Sequence, residues 1–86
     1  MLHELLRAYE EGVVSNIIHL LDVVALTEDL PQRDLHRGQV GTIVEVLEPD
    51  VFEVEFSDDA GQTYASLALS AAHLMVLHYQ PLDIAS

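Results

Sequence analysis

The sequence predicts a mainly β protein: a small five-stranded barrel with an N-terminal helical extension. Three observations lead there. The stretch from Gly38 to Phe56, GQVGTIVEVLEPDVFEVEF, reads as two strands joined by a tight turn. Short runs rich in β-branched or alternating apolar residues stand on either side of it, separated by turn-forming residues. Sustained helical spacing is confined to the chain before Asp22.

Eighty-six residues allow one domain with a modest core, so folding has the first claim on every large apolar side chain. Half of the residues are hydrophobic, too many for a disordered chain despite the charge. The expected organisation is a helical segment over residues 1–21, the barrel over 22–80 and a tail over 81–86.

In the first segment, Leu2, Leu6, Tyr9, Val13 and Leu20 follow steps of three and four, and Leu5, Ile17 and Leu21 broaden the stripe. Gly12 interrupts it at a cost of about 1 kcal/mol against Ala, so two short pieces or one bent helix are expected. The stripe needs a surface to cover, either its own barrel or a second copy of the chain. Asp22 to Thr27, DVVALT, is the first strand, and Asp29-Leu30-Pro31 ends it because proline lacks a donor and holds its predecessor extended. The polar excursion QRDLHR follows, pinned to the core by its one apolar residue, Leu35. Gly38 and Gly41 then bracket the next strand, where their spacing suggests a tight turn or a close backbone approach.

The hairpin's apolar parities place Val44, Val46, Phe52, Val54 and Phe56 inward and Glu45, Glu53 and Glu55 outward. Ser57 to Gly61 is a turn, with Asp58 and Asp59 as turn formers and Gly61 placed for positive φ. Gln62 to Leu69 alternates as a further strand. Ser70 caps a single helical turn through His73, and Leu74 to Tyr79 closes the sheet. Five strands, a long first loop, a tight central hairpin and a helical turn before the last strand make the plan of an SH3-like barrel.

The runs LLDVVALTEDLP, LHRGQVGTIVEVL and VFEVEFSDDAGQTYASLALSAAHLMVL, covering about Leu20 to Leu77, resemble a bacterial family of short uncharacterised proteins filed as a domain of unknown function. The DLP, RGQVGTIVEV and EVEF elements carry the resemblance together. It implies an SH3-like fold, offers no catalytic residues, and suggests an accessory or antitoxin-like partner of a neighbouring gene product.

Charge narrows the partners. Three arginines, no lysine and fifteen acids give a formal net charge of −12. Nucleic-acid binders neutralise phosphates with Lys and Arg, so this chain would repel nucleic acid, and anionic membrane surfaces likewise. A basic protein partner suits the field. Like-charged glutamates facing one another across strands cost stability, which makes Glu45, Glu53 and Glu55 candidates for partner contact. Leu2, Leu6, Tyr9 and Val13 are the second candidate surface. No apolar run approaches the roughly 18 residues of a spanning helix, and MLHELLRAYEE carries acids where a signal peptide carries bases; a cytoplasmic protein is expected.

For chemistry, the absence of cysteine removes thiolate nucleophiles, disulfides and most structural zinc sites. No G-x-S-x-G elbow is present, and the five histidines form neither an H-x-x-x-H nor an H-E-x-x-H pattern. Catalytic residues, metal ligands and cofactors are accordingly none. The leading expectation is a non-enzymatic acidic interaction module. The alternative is a self-assembling structural protein, a homo-oligomer built through the N-terminal helix. A small-molecule or metal-dependent enzyme stands third, and it requires a deep polar pocket.

Overall fold

The computed structural model describes residues 17–79 and residue 81. Each apolar run of the region expected to form the barrel is a strand: β1 is Val23–Leu26, β2 Val40–Glu48, β3 Val51–Ser57, β4 Thr63–Ser70 and β5 Leu74–Val76. Two 3-10 turns, Pro31–Arg33 and Ala71–His73, interrupt them. All pairings are antiparallel, in the order β4-β3-β2-β1-β5, so β4 and β5 are the two edges of one unclosed sheet among the described residues. The closing strand stops three residues before the expected Tyr79. Its partner β1 begins at Val23, whose carbonyl accepts from Leu77 N–H, and beyond that bond β1 offers no further partner.

The sheet is strongly curled, as the connection after β4 requires. Ala71 N–H donates to the Asp50 carbonyl at the tip of the β2–β3 hairpin, whereas Leu74 pairs with Leu26, whose N–H donates to the Gln39 carbonyl before β2. A straight strand from Gln39 to Glu48 would separate those ends by about 30 Å. Three residue steps from Ala71 to Leu74 reach at most about 11 Å. β2 must therefore bend, and its ladder with β3 shows where: the register shifts between Ile43 and Glu45, and again between Val46 and Glu48. Each shift is an extra residue on one strand, which bends it and increases its twist.

That bend corrects the expected parity of β2. Gly41 and Ile43, not Val44, face inward with Val54 and Phe56, because Val44 is the unpaired residue of the first bulge. Val46 does share a face with Phe52, its direct partner, but it stands at the rim and is 49% exposed. The core comprises Val24 and Leu26 of β1, Ile43, the three inward residues of β3, Leu67 and Leu69 of β4, and Leu74 of β5. Leu35 completes it from the first loop at 1% exposure, as its isolation in a polar segment suggests. Pairing of Leu30 with Leu35 and the Asp29 Oδ1 contact to Arg37 N–H at 2.8 Å hold that loop in place.

The helical extension expected over residues 1–21 lies mostly outside the described residues, as does the tail apart from Pro81. Its last part, Ile17–Leu21, is not helical. Leu21 N–H donates to the Ile43 carbonyl at 2.8 Å, which draws the chain onto β2. Asp22 closes a turn instead, its N–H donating to the His19 carbonyl and its carboxylate accepting from His19 N–H at 2.8 Å.

Candidate protein-interaction face

The outward side of β2, β3 and β4 collects the hairpin glutamates. Glu45 is the direct cross-strand partner of Glu53, and Glu55 lies between Thr42 of β2 and Ser66 of β4. Glu53 and Glu55, two positions apart on one strand, fall on the same face by the pleat, about 7 Å apart along β3. The Ser66 hydroxyl donates to Glu53 Oε2 at 2.8 Å. Glu45 is exposed, while Glu53 and Glu55 are half-buried between neighbouring strands. Among the described residues, ion pairs join His19 to Asp22, His36 to Asp34 and His73 to Glu28, and none of the three glutamates meets a cation.

The face continues across the sheet as an apolar area. Thr42, opposite Glu55, is also opposite Val23 of β1. Next to Val23, Ala25 stands between Val40 and Met75, its partners on β2 and β5, and these two leave it only 5% exposed while remaining about half exposed themselves. Acidic and apolar halves thus share one side of the sheet. The apolar half escaped the sequence reading, although the Val40–Thr42 parity and the alternation in Leu74-Met75-Val76 carried a signal for it.

The remaining candidates lie elsewhere. Leu2, Leu6, Tyr9 and Val13 are outside the described residues. Asp58 accepts the N–H groups of Ala60 and Gln62 through one oxygen, each at 2.9 Å, and Gly61 has φ +80°, so Asp58 serves the backbone of that turn. Among the described residues no three His, Asp or Glu side chains converge as a metal site. A cleft of about 350 Å³ lies between Leu30–Arg33 and Leu67–Leu69, with Arg33 as the one charged residue of its lining among the described residues.

No curated protein and no solved structure matches the chain. Residues 20–76 match a family model described as a domain of unknown function, DUF4926. That match spans the region from the turn before β1 to the end of β5, more than half of the chain, and the protein belongs to the DUF4926 family.

Proposed function

We propose that the protein is a non-enzymatic interaction module, an SH3-like barrel that docks a basic protein segment on the outward face of its sheet. The strand order, the bent β2 and the 3-10 turn before β5 support the barrel reading. The observation that carries the function is the set of Glu45, Glu53 and Glu55, which meets no cation among the described residues, beside the apolar area of Val40 and Met75. Folding alone gains nothing from two glutamates set directly opposite each other. A partner with basic and apolar side chains in one segment would neutralise the first half and cover the second. Electrostatic attraction would mainly accelerate its association, and desolvation of the apolar half would slow its departure.

The test is affinity capture from the native host at low and at moderate salt. Wild-type protein is compared with a chain carrying Glu45→Gln, Glu53→Gln and Glu55→Gln. The expected result is a partner rich in Lys or Arg that binds wild type, weakens with salt and is lost with the triple variant. Recovery of no partner by wild type at either salt concentration overturns the reading.

A further inference from the structure

An apolar patch separate from the acidic face lies where the described chain begins. Leu21 is 70% exposed, Leu20 and Ile17 are more than half exposed, and Val44, Val46 and Leu47 are exposed on the half of β2 that follows Ile43. The bond from Leu21 N–H to the Ile43 carbonyl joins the two groups. β1 pairs with β2 only as far as Thr42, so the corresponding edge of β2 beyond Ile43 has no strand against it among the described residues.

Leu21 is an unusual choice for its place. It has φ +73°, a left-handed conformation that Gly or Asn adopts at little cost and in which the Cβ of other residues is crowded against the backbone. A large apolar side chain that is both strained and exposed is not there for the barrel core.

We infer that the patch of Leu20, Leu21, Val44, Val46 and Leu47 is the seat of the chain's own N-terminal segment, whose stripe Leu2, Leu6, Tyr9 and Val13 lays its apolar side on the outer half of β2. Sixteen residues precede Ile17, where the described chain begins, a few residues before Leu20 and Leu21 of this patch. A stripe from Leu2 to Val13 at helical rise covers about 17 Å, comparable with the roughly 13 Å from Val44 to Glu48 along a strand. A tethered segment meets its seat at an effective concentration in the millimolar range. A second copy of the chain at micromolar concentration competes poorly against that. This inference does not depend on the acidic face having a partner.

The experiment uses the full chain, whose lack of cysteine allows a single label. A nitroxide is attached at Glu10→Cys, a position off the stripe, and amide signals are followed by NMR. The expected result is loss of intensity at Leu21, Val44, Val46 and Leu47, with none at Asp58–Gly61. Adding Leu6→Asp should restore those intensities while the core signals of Val24 and Phe56 stay in place, which shows an intact barrel. A mixture of labelled, NMR-silent chain with unlabelled, isotope-enriched chain reports only contacts between copies. Broadening of the patch in that mixture assigns the seat to a second copy and overturns the inference. Undiminished intensities in the singly labelled chain overturn it as well.

Discussion

Gly41 of β2 meets Val54 of β3 with no space for a side chain: a Cβ at position 41 would stand 2.7 Å from Val54 Cγ1 and 3.0 Å from the Glu55 carbonyl oxygen. Since Glu55 presents its backbone there, the neighbour cannot yield by a rotamer change. Gly41→Ala is expected to destabilise the fold by about 1–3 kcal/mol. A lower urea midpoint with an unchanged slope would identify this as strain in the native sheet.

Glu45 and Glu53 should differ in what their neutralisation does. Both substitutions to Gln relieve the same repulsion, but Glu53 also accepts the Ser66 hydroxyl. Glu45→Gln is expected to raise the unfolding free energy by roughly a few tenths of a kcal/mol, and Glu53→Gln by less. Both gains should shrink as salt is added. Equal gains would show that the Ser66 contact contributes nothing.

Leu35 reaches the core as the one apolar residue of the segment Gln32–Arg37. Its truncation to Ala leaves a cavity that the strands around it cannot fill, and a loss of about 2–5 kcal/mol is expected. Chemical denaturation checks the size. A loss confined to local amide exchange in Leu30–Gln39 would mean that the loop is not coupled to the sheet.

Ser70 accepts Ala72 N–H at 3.1 Å and starts the turn that carries the chain from β4 to β5. Ser70→Ala is expected to cost about 0.5–2 kcal/mol. Restoration by Ser70→Asp, another cap former, would separate the capping role from a packing one.

The strands, the pinned loop and the capped turn were legible in the sequence because each rests on a local signal. Pattern alternation marks Val51–Ser57, a lone leucine marks the loop contact, and Ser70 marks the cap. The interior of β2 was not legible. A bulge at Val44 depends on how β2 bends to let β4 reach β5, a relationship among four strands that no window of β2 contains. The outward placement of Glu45 and Glu53 was nevertheless readable, since the bulge resets the register so that the two become direct partners. The positive φ of Leu21 left no trace in residue type, because leucine is a poor indicator of that conformation.

The unclosed sheet bears on solubility. β4 offers eight residues of free edge among those described, and such edges recruit one another between molecules. At neutral pH a formal charge of −12 keeps copies apart. That protection is electrostatic and therefore conditional: as the pH falls toward the isoelectric point of about 4.3, the carboxylates neutralise while the free edge stays as it is. Turbidity rising near that pH, and suppressed by a proline within Thr63–Ser70 that leaves the sheet folded, would mark β4 as the strand through which copies of the chain associate.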